Sequence, residues 1–283
     1  MEIVQTPERF RERMPFNYPV HQSGLLIEEY FYEYATRNRD HIETDLCYLP
    51  IFWTSYHVSH NWGNSYQELQ NFCDSLPKDK TYFTVVQYDD GVRVSMPNLI
   101  TFSCCGNSSS ILKDFPIPLL CDPHGAKWEK DVYKASFIGR IGSRVRPKMF
   151  EILTGLPGFY LRDSGDDVTL FLDHLQQSTF SLCPRGYGVS SFRLYETLEV
   201  GSIPIYIVED DVDHWLPFSD KVDWDKLAVL LKESEIENIP RIVNSMSIEE
   251  IEERRSYINE IYPKFFTMEG CSSSIIEKIK EFK

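Results

Sequence analysis

The chain has 283 residues, 42% of them hydrophobic and 14% aromatic, and a formal net charge of −14. That length suits two domains of ordinary size, and the apolar content is enough for real cores, which excludes a wholly disordered chain. The acidic balance argues against a general nucleic-acid binder, whose affinity rests on cations meeting phosphates. The opening MEIVQTPERFRERM lacks the apolar centre of a signal peptide, and no run approaches about 20 apolar residues. The sequence therefore predicts a cytoplasmic protein with no membrane span. Its seven cysteines, an odd number without CxxC metal spacing, read as buried thiols in a reducing compartment.

In chain order, Leu25 to Arg37 predicts an amphipathic helix, and DLCYLPIFW (Asp45 to Trp53) a buried strand. Tyr66 to Leu76 follows as a helix, Tyr82 to Tyr88 as a strand halting at Asp89-Asp90-Gly91, and Leu99 to Cys104 as a short strand. Cys121 to Asp131 mixes proline, glycine and charge, and is the predicted hinge. Beyond it come a strand at Ala135 to Ile138, a helix around Lys148 to Leu153, a strand at Thr179 to Cys183, a helix at Ser191 to Val200 and a strand at Ile203 to Val208. The tail from Ile248 reads as helix interrupted at Pro263 and Gly270. Strands alternating with helices imply parallel sheets, and so two α/β domains.

Two strand-to-helix loops carry chemistry. In the first, Gly139, Arg140, Gly142, Ser143, Arg144 and Arg146 separate a strand from a helix that opens near Pro147. Lys134 to Lys148 holds five cations and no acid inside an acidic chain, which is hard to explain as random surface placement. A Gly-x-x-Gly loop alone is weak; two such basic loops in one domain point to a diphosphate. The second loop, Pro184 to Ser190, has Gly186 and Gly188 to let backbone approach a ligand, and Arg185 as its cation. Ser190 or Ser191 can cap the next helix or donate to a phosphate, and the helix start itself attracts an anion. Arg193 in the first turn opposes the helix dipole unless a phosphate meets it. Glu196, three residues on, either pairs with Arg193 or accepts from ribose hydroxyls.

The stretch FSLCPRGYGVSSFRLYETLEVGSIPIYI, followed by WLPFSDKVDW, resembles the C-terminal signature of exostosin-like glycosyltransferases, family 47. The residues that carry the likeness are Phe180, Leu182, Pro184, Arg185, Gly186, Ser191, Phe192, Arg193, Glu196, Gly201, Pro204, Leu216, Pro217 and Phe218, within roughly Lys134 to Phe266. The N-terminal half is similar only loosely, at DHIETDLCYLPIFWTSYH and at the Tyr88–Gly91 turn. The resemblance implies an α/β chain of GT-B class, with two Rossmann-like domains facing across a cleft. It divides the chain into an acceptor-binding domain over 1–125, a nucleotide-sugar domain over 126–265 and a helical tail over 266–283. It further implies a UDP-sugar donor, a glycan or glycoconjugate acceptor and inversion at the anomeric carbon. Eukaryotic members of that family normally carry a membrane anchor and a stem, and the expectation from this sequence, which shows neither, is a compact microbial or viral form.

Gly139, Arg140, Arg144, Arg146, Arg185, Gly186, Tyr187, Ser190, Ser191, Arg193 and Glu196 are the expected donor-binding residues. The expected catalytic base is Asp89, at the end of a strand, with Asp90, His57 and His60 behind it, although Asp-Gly is also ordinary turn chemistry. Trp53, Tyr56 and Trp62 are the candidate acceptor-stacking surfaces, with core packing the competing reading for Trp53. His124 reads as a solvated hinge residue. A retaining enzyme would carry a second acid eight positions after Glu196, where Pro204 stands. Asp211-Val-Asp213 and Asp223-Trp-Asp225 read as solvated loop acids, so no cofactor and no essential metal is expected. A compact site near Tyr187 and Tyr206 suits a pentose, with UDP-xylose the first choice. Two other readings are a catalytically inactive binder of the same fold and a kinase-like protein, which lacks the GxxxxGK[ST] loop.

Overall fold

The computed structural model describes residues 1–18, 23–106, 113–142, 144–163 and 168–282. The chain forms two compact units, Met1–Asp122 together with Phe265–Lys283, and Pro123–Lys264. The first unit contains β1 (Glu2–Ile3), α1 (Ile27–Asn38), β2 (Cys47–Tyr48), α2 (Trp53–Ser59), α3 (Gln67–Ser75), β3 (Tyr82–Val86), β4 (Leu99–Ser103) and β5 (Lys113–Pro116). The second contains β6 (Tyr133–Ile138), α4 (Arg146–Leu153), β7 (Phe159–Arg162), α5 (Val168–Gln176), β8 (Ser178–Pro184), α6 (Phe192–Val200), β9 (Ile203–Val208), α7 (Trp224–Leu227), β10 (Val229–Lys232), α8 (Ile239–Ser245) and most of α9 (Ile248–Phe265). The last helix, α10 (Met268–Ile279), belongs to the first unit and packs on α1.

Each unit is built on one five-stranded sheet with every neighbouring pair parallel. The orders differ. The first sheet runs β1-β2-β3-β4-β5, in chain sequence, whereas the second runs β10-β9-β8-β6-β7. In the second sheet the chain starts at β6, goes one way to β7 and then the other way to β8, β9 and β10. The order therefore reverses between β6 and β8, and in open parallel sheets ligands settle outside the carboxyl ends of the strands at such a reversal. Two α/β units of this kind are the composition of a GT-B chain.

β3, β4, β8 and β9 are buried along their whole length, as parallel strands covered on both faces must be. All seven cysteines are free and six are buried, so the thiols serve as small apolar side chains.

Three local readings need correction. The predicted strand Asp45 to Trp53 pairs only at Cys47 and Tyr48, because Pro50 has no N–H to continue the ladder. Trp53 instead opens α2, and its indole N–H donates to Thr84 Oγ1 at 2.8 Å, holding that helix on the sheet. In the tail, Pro263 lies inside α9 and Gly270 inside α10. The break falls between them, where Thr267 caps α10 by accepting the Gly270 N–H at 3.0 Å.

α1 buries Ile27, Phe31 and Ala35 at a helical spacing, and with them two acids. Glu28 accepts from the Gln87 N–H at 2.7 Å, the Thr54 N–H at 3.0 Å and the Thr54 hydroxyl at 2.9 Å, fixing α1, α2 and the end of β3 together. Burial outweighs those bonds and pushes its carboxyl up to about 8. The folded state thus holds a proton that the unfolded chain, with a carboxyl near 4.5, releases first. The resulting stability is fully present below the unfolded value and is lost as pH rises through about 8. Thermal unfolding followed from pH 4 to 9 is expected to show that decline, and E28Q to flatten it.

Candidate functional site

The carboxyl ends of β6 and β8 open into the two basic loops. Chain order therefore delivers both to the reversal point of the second sheet. The loop after β6 turns through Gly142 (φ 57°) and Arg144 (φ 64°) before α4; Ser143 lies outside the described residues. Arg146 and Pro147 open α4.

Arg193 projects from the first turn of α6. Its guanidinium carbon lies 4.4 Å from the ring centre of Phe137 and 4.3 Å from that of Phe171, and its Nη2 donates to the Ile138 carbonyl oxygen at the end of β6. Arg146 approaches the same Phe137 ring at 5.6 Å, while its Nε and Nη1 donate to the carbonyl oxygens of Arg185 (3.3 Å) and Arg140 (3.0 Å). Among the described residues no carboxylate comes within ion-pair distance of either group. Burial drives the Arg193 guanidinium down to about 10, with the Arg146 charge adding to the effect, and burial lowers Arg146 as well. Two cations therefore sit close together, partly desolvated and with no ion-paired acid among the described residues.

Gly139 leaves room for this arrangement. A Cβ there would stand 2.8 Å from Arg193 Nη2 and 3.3 Å from the Phe137 ring. Arg193 and Glu196 do not form the local pair their spacing allowed. Glu196 Oε1 lies 2.8 Å from His124 Nε2, and Glu199 accepts the Gly125 N–H at 2.8 Å, so the segment after Pro123 is tied to α6. His124 is thus a mostly buried partner of Glu196 and not the solvated residue expected.

The second loop departs from expectation in three ways. Gly186 and Gly188 are absent from the left-handed region; Gly186 earns its place because a Cβ would meet the Ser190 carbonyl oxygen at 3.3 Å. Arg185 is 4% exposed and turned inward: Nε donates to Gly188 O at 3.0 Å, Nη2 to Tyr187 O at 2.8 Å and Nη1 to Glu209 at 3.2 Å. Its donors shape the loop from within. Ser190 is buried with its hydroxyl on Tyr195 at 3.3 Å. Ser191 is the N-cap residue of α6, yet its hydroxyl makes no capping bond, and Oγ is a buried oxygen with no partner. Gly201, at φ 91°, ends α6 as expected.

Around the loops, Arg140 and Arg144 are exposed. Arg144 meets Glu209 at 3.3 Å and lies 5.9 Å from the ring of Tyr187, which is 62% exposed. Tyr206 is fully buried, its hydroxyl donating to Val189 O, so it cannot line a sugar site. Asp211, Asp213, Asp223 and Asp225 are exposed, and Asp223 caps α7.

In the first unit, Asp89 and Asp90 form the partly exposed turn after β3, with Gly91 (φ 69°) donating to Tyr88 O and Asp90 paired to Arg93 at 3.6 Å. His57 is not a base that substrate can reach. It is fully buried, its Nε2–H donates to Val92 O at 3.0 Å, and burial brings its pKa down to about 4. His60 stacks on Tyr56 at 4.0 Å and bonds the Tyr56 carbonyl. Trp53 (0% exposed) and Tyr56 (4%) belong to the core and offer no stacking surface, whereas Trp62 is 53% exposed.

An exostosin GT47 domain matches residues 5–246. Over shorter stretches the chain is 37% identical to an exostosin-1 homologue of Caenorhabditis elegans (92 residues, 32% of this chain and 23% of that protein). It is 34% identical to a probable glucuronosyltransferase of Oryza sativa subsp. japonica (103 residues, 36% and 20%). It is also 34% identical to the probable beta-1,4-xylosyltransferase IRX10 of Arabidopsis thaliana (88 residues, 31% and 21%). The chain thus spans about a quarter or less of these relatives. Among solved structures, TarM aligns over 89% of this chain and 58% of its own at 10% identity, with a TM-score of 0.44. An alpha-glucosyltransferase in complex with UDP and DNA aligns over 91% and 84%, also at 10% identity, with a TM-score of 0.40. Among the described residues no helix is long and apolar enough to cross a membrane.

Removing the inward-facing guanidinium by Arg185→Ala leaves two loop carbonyls without their donor and Glu209 with Arg144 as its remaining ion-pair partner. The expected cost is about 2–3 kcal/mol of folding stability, read by denaturant unfolding. With the domain match extending over most of its length, this chain belongs to the exostosin GT47 family of glycosyltransferases.

Proposed function

We propose that the chain transfers a sugar from a uridine diphosphate donor to a hydroxyl group of a glycan, with inversion. The observation that carries this reading is the pair Arg193 and Arg146, two partly desolvated cations at the reversal point of the second sheet with no ion-paired carboxylate among the described residues. The start of α6 adds about half a positive charge, and the unpartnered Ser191 hydroxyl adds a hydrogen-bond donor. A diphosphate satisfies all four at once. Exposed Arg140 and Arg144 suit its outer oxygens, and Glu196, held by His124, suits the ribose.

In the transfer, the acceptor oxygen attacks the anomeric carbon, the bond from that carbon to the phosphate oxygen breaks, and uridine diphosphate leaves with the electron pair. Preorganised positive charge favours the state in which that negative charge has developed. Asp89 takes the acceptor proton, with Asp90 as its alternate. Pro204 in β9, where a retaining enzyme carries an acid, supports inversion. Relatives named for glucuronosyl and xylosyl transfer make UDP-glucuronate and UDP-xylose the first donors to try.

Calorimetric titration with UDP in the presence of EDTA is expected to show binding that Arg193→Ala and Arg146→Ala each weaken at least about tenfold, in variants that still melt cooperatively. Unchanged affinity in both variants contradicts the site. Asp89→Asn is expected to keep UDP affinity and lower kcat by about 10²–10⁴-fold. A chain that binds UDP but neither hydrolyses donor nor glycosylates any acceptor is instead an inactive binder of the same fold.

A further inference from the structure

Trp62 is held in a conformation that a bulky residue rarely adopts. Asn61 (φ 54°), Trp62 (φ 53°) and Gly63 (φ 76°) follow the end of α2 in the left-handed region. Bonds from Gly63 N–H to His57 O (2.9 Å), Asn64 N–H to Asn61 O (3.1 Å) and Ser65 N–H to His60 O (3.2 Å) hold the turn. The result leaves a tryptophan 53% exposed, with Tyr18 edge-on to it at 5.6 Å between ring centres. Burial would have repaid a tryptophan far better than this surface position does. Strain of this kind marks a side chain held where it is used.

The same turn is braced against the one carrying Asp89 and Asp90. A Cβ on Gly63 would stand 3.4 Å from Arg93 Cγ and 3.5 Å from His57 Nδ1. Arg93 pairs with Asp90, and His57 donates to Val92 O. The Tyr18 hydroxyl is pushed up to about 12, by burial first and then by the charge of Asp89. It stays a hydrogen-bond donor at neutral pH, close to that carboxylate. An aromatic face, a phenol and two carboxylates therefore share one end of the first sheet.

From this arrangement we propose that Trp62 and Tyr18 form a platform for a pyranose ring of the acceptor glycan, whose C–H face lies on the indole and whose hydroxyls meet the Tyr18 hydroxyl and the Asp89-Asp90 turn. Pyranoses present an apolar ring face with a rim of hydroxyls, which matches an amphipathic aromatic beside carboxylates. The inference rests on the acceptor assignment above and is independent of the donor site.

The test is binding of the whole chain to an array of xylan, heparosan and other plant and animal oligosaccharides, with UDP titrated in parallel. Variants Trp62→Ala, Trp62→Phe and Trp62→Gly are compared with the unmodified chain. Glycine suits a φ of 53° better than tryptophan, so Trp62→Gly is expected to melt no lower. Glycan binding is expected to fall about tenfold or more in Trp62→Ala and Trp62→Gly and to be partly kept in Trp62→Phe, with UDP affinity the same throughout. Glycan binding that survives in Trp62→Gly overturns the platform, as does an unmodified chain that binds UDP but no oligosaccharide. Glycan binding lost with Trp62 in a chain that does not bind UDP keeps the platform and removes the donor reading.

Discussion

Arg193 is a cation whose place is fixed by apolar rings. Phe137 on β6 and Phe171 on α5 flank its guanidinium, and the end of β6 gives it a carbonyl oxygen. None of these neighbours neutralises it. A half-buried charge without a direct ion pair is costly, which fits the proposed site that an anion completes. Much of the second unit follows from this placement. Gly139 has no side chain because Arg193 passes beside it, and Arg146 shares the ring of Phe137. Glu196 bonds His124 and acts on Arg193 through its charge alone, without a direct ion pair.

The two sheets explain why the halves of the chain carry different chemistry. In the second, strand order reverses between β6 and β8, opening a place between two strand ends that loops can line from both sides. The segment after β6 gathers Arg140, Arg144 and Arg146 in an acidic protein, and the loop after β8 adds Arg185. The first sheet is laid down in sequence and has no such reversal. The acceptor features proposed for it gather at the end of β3, where two turns with left-handed residues lean on each other through Arg93 and His57. One half is organised by topology, the other by local turns.

Much of this was legible before any coordinates. The regular elements with strong periodicity or β-branched runs, such as α1, α3, β3, β8, α6 and β9, stand close to where the pattern places them, and Gly201 ends α6 as glycine should. What pattern cannot supply is the direction of a side chain. Arg185 and Arg193 are equally basic in sequence, yet one turns into its own loop and the other onto Phe137. His57, Trp53 and Tyr56 have the composition of a binding site and lie in the core, since α2 is a helix packed on the sheet where a strand was expected. Short edge strands such as β1, β7 and β10 were missed because two to four residues carry too little alternation to stand out. The strain at Trp62 had no sequence signal beyond the neighbouring Asn61 and Gly63, residues that tolerate left-handed backbone.

The most direct trial of the account is a crystal structure of the chain grown with uridine diphosphate. The account places the pyrophosphate at the mouth of β6 and β8, within hydrogen-bond reach of Arg193, Arg146 and the Ser191 hydroxyl, with the ribose toward Glu196. Density for the nucleotide elsewhere on the second unit, with those groups arranged as they are now and untouched by phosphate, would contradict it.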